Sequence, residues 1–181
     1  MNLAVIMELP LVVIDVQRGG PATGLPTKSE QTDLLQCLFG RNGETPMPVI
    51  AATSPADCFE SAYAACKIAL EHMTPVVFMS DAYIANGSEA FKLPNLAEYP
   101  AINPPYVPES MKGTWTPYMR DERDVRYWAV PGREGFAHIL GGLEKDSKTG
   151  AISTNPEKHD LMCRLRQSKI DKIQVPDVEV E

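Results

Sequence analysis

The sequence predicts an α/β fold: a parallel sheet with helices on both faces, followed by an extended proline-rich connector and a C-terminal helix. Three observations carry this. Short apolar runs recur at residues 11–14, 48–52 and 76–80, bounded by turn residues, which is the pattern of strands buried on both faces. The segments between them have the length of helical crossovers, so the strands are parallel and the connections right-handed. From Leu93 the texture changes, and Pro94, Pro100, Pro104, Pro105, Pro108 and Pro117 punctuate a stretch with few apolar runs. That stretch reads as a connector without a core of its own. The expected division is 1–93 for the sheet domain and 94–181 for the connector and helix.

Taken in order, residues 1–7 read as the tail of a helix that stops before Pro10, because the residue before a proline avoids the α region. Residues 11–15 form the first strand. Thr27, Ser29 and Glu30 then fit a capping box, with Thr27 as the cap and Glu30 reaching back to it. The helix it opens spans residues 29–39, with Leu34, Leu35 and Leu38 on the buried side, and residues 40–43 stop it. Residues 48–52 form the second strand. Ser54 at the N-cap and Pro55 behind it start a helix that runs to His72. Phe59 and the small residues Ala62, Ala65, Cys66 and Ala69 let that helix lie close to a sheet. The third strand ends in Asp81 and a polar loop through Glu89. Three parallel strands make a thin sheet, so further strands are expected beside it. In the connector Trp115, Tyr118, Tyr127 and Trp128 serve as anchors, and residues 141–150 carry hairpin turns. Asn155 opens the last helix, with Leu161, Leu165 and Ile170 inward and Arg164, Arg166 and Lys169 outward. Residues 175–181 read as the start of another strand.

Composition narrows the function. A net charge of −7 over 181 residues with no Lys/Arg cluster argues against nucleic acid as a partner, because phosphate contacts need a basic footprint. No apolar run approaches the roughly 18 residues of a membrane span. The apolar N-terminus lacks a basic leader and holds Glu8 and Pro10, so it reads as core and not as a signal peptide. Cys37, Cys58, Cys66 and Cys163 are scattered with no CxxC pair, which fits a reducing cytoplasm and offers no iron–sulfur or zinc spacing. His72, His138 and His159 are isolated, so no metal site is expected.

The informative stretch is residues 9–31. A glycine- and proline-rich loop there follows the end of a strand, the place where open α/β sheets bind ligands. Arg18 can grip a carboxylate through two parallel hydrogen bonds, or it can pair internally with Asp15, Glu30 or Asp33. Thr27 offers a hydroxyl beside a helix start, or serves only as its cap; Thr23 is a weaker candidate in the same loop. Gly19, Gly20 and Gly24 permit backbone conformations and close approach that larger residues block. Lys28 reads as a solvated lysine, with contact to coenzyme A or a partner's acidic group as the alternative. The loop lacks the spacing of both the P-loop and the dinucleotide fingerprint. Asp81 and Asn86, at the third strand end, can line the same crevice, but they read first as residues that order the turn or a subunit contact.

Residues 15–36, 40–59, 74–94 and 128–159 together carry a resemblance. They resemble the α subunit of 2-oxoacid:ferredoxin oxidoreductases, most closely the 2-oxoglutarate type, over nearly the whole chain. The resemblance implies the later part of a pyrimidine-binding domain of a thiamine diphosphate enzyme, then a linker toward a transketolase-C-terminal-like domain. It implies oxidative decarboxylation of a 2-oxoacid with coenzyme A to acyl-CoA, carbon dioxide and reduced ferredoxin, with 2-oxoacid contacts at Arg18 and Thr27. It further implies an oligomer with a β subunit that holds most of the diphosphate, the magnesium and the iron–sulfur cluster. The family's upstream threonine loop and cofactor glutamate have no counterpart here, and Glu8 lies elsewhere in the pattern. Two readings follow: part of an enzyme subunit active only in its assembly, or a non-catalytic fragment acting as an interaction piece. A small flavodoxin-like domain binding another anion is a third, and it leaves the connector unexplained.

Overall fold

In the computed structural model, which describes residues 1–175, the chain divides into two compact units, Met1–Pro105 and the residues from Tyr106 onward. The first unit contains α1 (Asn2–Met7), β1 (Leu11–Gln17), α2 (Leu34–Phe39), β2 (Val49–Ala51), α3 (Asp57–His72), β3 (Pro75–Asp81) and α4 (Ala82–Asn86). Its sheet is parallel throughout, in the order β1-β3-β2, with Leu11 opposite Pro75 and Val49 opposite Val77. The chain crosses the sheet from β1 to β2 and then steps back to β3. Two right-handed crossovers in opposite directions must place their helices on opposite faces. The core obeys this: Val76 and Phe78 meet Ala65 and Ala69 of α3 on one face, while Val77 and Met79 meet Val5 of α1 and Cys37 of α2 on the other.

Only β3, the centre, is buried along its full length. The expectation of burial on both faces fails for β1, an edge strand whose Ile14 and Val16 are 61% and 48% exposed. α2 is also shorter than expected. It begins at Leu34 behind Asp33, and Thr27 sits in the left-handed region at φ 58°, so no capping box forms. Leu34, Leu35 and Leu38 are 50%, 68% and 37% exposed; α2 is a six-residue helix with no buried residue and packs on the core through Cys37. α3 begins at Asp57 behind Ala56, two residues later than a Ser54 cap implies; the turn ahead of it is closed by the Ser54 hydroxyl, which accepts from the Asp57 N–H at 3.2 Å, and by the Asp57 carboxylate, which accepts from the Thr53 N–H at 2.8 Å. Phe59 turns away from the sheet, however, and packs on Phe91 and Tyr99. Residues 94–105 join the first unit. Tyr63 bonds the Pro100 carbonyl, Tyr99 bonds Glu60, and the Glu71 carboxylate accepts from the Asn103 N–H at 2.8 Å.

The second unit ends in α5 (Pro156–Asp171), capped by Asn155, whose side chain accepts from Glu157 and Lys158 N–H groups. Where the sequence predicts no core, Val107, Ala129 and Phe136 form a small one with Met111, Trp115 and Tyr127 against it. Tyr118 is fully buried, with Lys145 and Arg126 over its ring at 5.2 and 5.9 Å from the centroid. The Asp146 carboxylate accepts from the Lys148 and Thr149 N–H groups and closes the turn between Lys145 and Ile152, which pair in an antiparallel bridge. On α5 the buried stripe is Met162, Arg166 and Lys169. The expected outward placement of Arg166 and Lys169 fails because spacing of four and three residues keeps them on the Met162 face, and the Glu144 carboxylate takes two bonds from Arg166 at 3.1 and 3.3 Å. Leu161, expected inward, is 43% exposed. The expected strand over residues 175–181 lies almost wholly outside the described residues.

Candidate functional site

The candidate site lies at the carboxyl ends of the strands in the first unit. A loop from Arg18 to Asp33 is organised by its own backbone: the Gly19 N–H donates to the Lys28 carbonyl at 2.9 Å, and the Gly24 N–H to Pro21 at 2.8 Å. Gly24 has φ 49°, and a Cβ there would stand 2.1 Å from the Gly19 oxygen. Only glycine fits that crossing of the loop over itself. A Cβ at Gly19 would make ordinary contacts, and one at Gly20 would meet nothing within 4 Å.

Two glutamines anchor the loop. Gln17, at the end of β1 and 7% exposed, donates to the Ser80 carbonyl at 3.3 Å and accepts from the Asp33 N–H at 3.1 Å. It thus ties the end of β1 to β3 and to the start of α2. Gln31 donates to Asp81 at 2.7 Å. Asp81, buried at the end of β3, also accepts from the Tyr83 and Ile84 N–H groups at 2.7 and 3.0 Å and so caps α4. The Ile84 backbone bond, the Gln31 amide and the Tyr83 bond hold its carboxyl below the usual carboxylate range against the opposing effect of burial. Asp81 therefore orders the turn, and Asn86 bonds back to Ala82 within α4. Over these strand ends opens a cavity of about 450 Å³ whose lining includes Gln17, Gln31, Ala51, Thr53, Ser80 and Asp81. Sequence reasoning missed both glutamines; their only signal was an amide at a strand end and a second one close to a helix start.

Arg18 faces a separate cleft of about 590 Å³, with Asp15, Gly20, Glu30 and Asp33 among its other walls. The internal pairing left open by the sequence does not form: among the described residues Arg18 makes no ion pair or hydrogen bond. Two of its three acidic neighbours are engaged elsewhere. Asp15 accepts from the Cys37 thiol at 3.5 Å, and burial, followed by this bond, pushes that thiol up to about 11. Glu30 accepts from the Gly20 N–H at 3.0 Å. Thr23 and Thr27 are exposed on the outer part of the loop and do not line the Arg18 cleft. Chemically, the arrangement is an exposed guanidinium at a strand end, on a loop held by its own backbone bonds and by Glu30 and Gln31.

A single guanidinium among three carboxylates does not make a cradle for a diphosphate, which needs several donors or cations. The residues of this cleft do not fit the phosphate end of a thiamine cofactor. No helix among them is long and apolar enough to cross a membrane.

Comparison with known proteins gives this geometry its setting. The chain is 53% identical to the 2-oxoglutarate oxidoreductase subunit KorA of Mycobacterium tuberculosis, over all of its own length and 28% of that protein. It is 39% identical to the 2-oxoglutarate synthase subunit KorA of Archaeoglobus fulgidus, over 94% of its length and 42% of the relative. A solved structure of a 2-oxoglutarate:ferredoxin oxidoreductase from Magnetococcus marinus, with 2-oxoglutarate, coenzyme A and succinyl-CoA bound, superposes with a TM-score of 0.85 at 33% identity. It covers 99% of this chain and 32% of the solved one. The chain thus spans well under half the length of these relatives. The family model for the thiamine diphosphate-binding region of pyruvate flavodoxin/ferredoxin oxidoreductases matches residues 1–148, and the chain belongs to that family.

Proposed function

We propose that this chain works as part of the α subunit of a 2-oxoacid:ferredoxin oxidoreductase, and that 2-oxoglutarate is its 2-oxoacid. The complex would convert the 2-oxoacid and coenzyme A to acyl-CoA and carbon dioxide and pass the electrons to ferredoxin. The observation that carries this reading is Arg18: an exposed guanidinium at the end of a strand with no partner among the described residues. A fork of N–H donors matches the carboxylate that every 2-oxoacid presents. Thr27 and Thr23 would add hydroxyl contacts from the outer loop. Thiamine diphosphate supplies the carbanion chemistry when bound. Its diphosphate and magnesium are assigned to the β subunit, because the Arg18 cleft is a poor phosphate site. The iron–sulfur cluster is assigned to a partner too, since the four cysteines here are scattered through the sequence. Within the reaction Arg18 binds and orients a substrate carboxylate; no proton transfer is asked of it.

The test is Arg18→Ala in the assembled complex, followed by 2-oxoacid-dependent viologen reduction. A charge-assisted bond to a carboxylate contributes about 1.5–3 kcal/mol, so kcat/KM for the 2-oxoacid should fall by roughly 10- to 150-fold. Arg18→Lys should fall between the two, keeping the charge and losing the fork. Unchanged kinetics in Arg18→Ala would remove the substrate role.

A further inference from the structure

Cys163, His159, Glu144 and Arg166 of the second unit form a group that the carboxylate-binding loop does not involve. His159 and Cys163 lie four residues apart on α5 and therefore share a face. The Cys163 sulfur is 3.8 Å from both ring nitrogens of His159 and accepts from an Arg166 N–H at 3.4 Å. His159 Nδ1 also meets the Glu144 carboxylate at 2.6 Å. Glu144 also receives the Arg166 fork. Cys163 is a thiol, half-buried, and the His159 side chain beside it is 55% exposed.

We infer that Cys163 is a reactive thiol that exchanges with small disulfides, with His159 as its base, Glu144 orienting that base and Arg166 stabilising the thiolate. The roles follow from the contacts. A carboxylate on Nδ1 fixes the imidazole so that Nε2 is the nitrogen left to take a proton. A guanidinium at the sulfur favours its anionic form. In the exchange the Cys163 proton passes to His159 and the sulfur attacks one sulfur of the disulfide. A new S–S bond forms as the old one breaks, and the second sulfur leaves with the bonding pair as a thiolate, which can accept the proton back from His159. Cys163 is oxidised and the departing thiol is reduced. The mixed disulfide stands against Arg166 and His159, which between them carry every side-chain bond described from α5 to Glu144. Modification would therefore loosen the hold of α5 on that segment and make it responsive to redox state.

The experiment uses the natively purified full chain and the neutral probe dithiodipyridine, with each modified cysteine located by peptide mass spectrometry. Cys66, exposed on α3, is the internal comparison. Cys163 should react about tenfold faster than Cys66, as expected for a thiol with a larger thiolate fraction. His159→Asn should remove that advantage and leave Cys66 unchanged. A Cys163 rate equal to or below that of Cys66, in wild-type protein, overturns the inference, and so does an advantage that survives His159→Asn. The wild-type comparison decides even if the variant fails to fold.

Discussion

Replacing Asp81 tests the architecture of the strand-end crevice most directly. In Asp81→Ala three donors lose their acceptor: the Tyr83 and Ile84 N–H groups and the Gln31 amide. Gln31 is exposed, so water replaces that partner at little cost. Loss of the cap contributes about 1 kcal/mol. Ile84 is buried, and stranding a buried N–H costs about 1–3 kcal/mol more. The first unit should therefore lose about 2–4 kcal/mol in total. Asp81→Asn keeps an oxygen for the two backbone donors and should cost well under half of that. Trp115 and Trp128 both lie in the second unit, so tryptophan fluorescence would miss the effect. The assay is amide hydrogen exchange along β3, with urea as the perturbant. The carboxyl is held below its ordinary value, so its stabilisation is present above the unfolded pKa near 4 and is lost as pH falls through the folded value. Wild-type protection should consequently drop in acid, while Asp81→Asn should show less of that loss. Equal protection in wild type and Asp81→Ala would refute the account of how this crevice is held.

Four further outcomes follow from other positions. Gly24→Ala, with a Cβ 2.1 Å from the Gly19 oxygen, should reshape the loop and lower 2-oxoacid use in the viologen assay by about tenfold, a 1.4 kcal/mol effect; Gly20→Ala, with open space around it, serves as the control and should be neutral. Arg166→Met leaves Glu144 without its fork in a mostly buried place and should cost the second unit about 3–5 kcal/mol, read by tryptophan fluorescence in urea. Burial works to raise the Glu144 carboxyl, but the bonds from Arg166 and His159 outweigh it and hold it low; its contribution is complete above the unfolded pKa and should fade as pH drops through the folded one, an acid dependence that Glu144→Gln should blunt in the same urea measurement. The Tyr99 phenol, pushed up to about 12 chiefly by its bond to Glu60, should ionise late in an ultraviolet titration, and Glu60→Gln should bring it back toward the ordinary value near 10.

The residues differ in how plainly they announced these places. The run 76–80 was legible because a centre strand is apolar at every position, and β3 is buried throughout. Ser54 was legible as a residue that opens a helix because its bond to the Asp57 N–H is a local event, complete within four residues. The equally local pattern at Thr27 and Glu30 misled: Glu30 meets the Gly20 N–H instead, so a longer-range bond across the loop won over the cap. β1 could not be told from a central strand, since an apolar run does not reveal whether anything covers its second face. Arg166 and Lys169 were assigned outward from charge alone, while the partner that makes the burial of Arg166 tolerable, Glu144, stands 22 residues away in sequence.

The same distinction separates the two halves of the candidate site. Arg18 stood out in the sequence because a lone guanidinium beside glycines at a strand end is read from its immediate neighbours, and the carboxylate role given to it above is a proposal. The glutamines did not stand out, because their work is defined by partners far along the chain: Gln17 with Ser80 and Gln31 with Asp81. Yet these bonds fix where Arg18 can be. Gln17 precedes it directly and is tied at once to β3 and to the backbone of Asp33, so both ends of the loop are pinned to one strand-end frame. An exposed arginine on an unanchored loop would spend side-chain and backbone entropy on ordering each time a carboxylate bound. Here the frame is in place beforehand. Gln17→Ala should therefore weaken 2-oxoacid use through KM while Arg18 itself is intact, and Gln17→Glu, which keeps an acceptor for the Asp33 N–H but loses the donor to Ser80, should recover part of it. If kcat/KM in Gln17→Ala matches wild type, the loop positions Arg18 without the strand-end frame, and the anchoring argument fails.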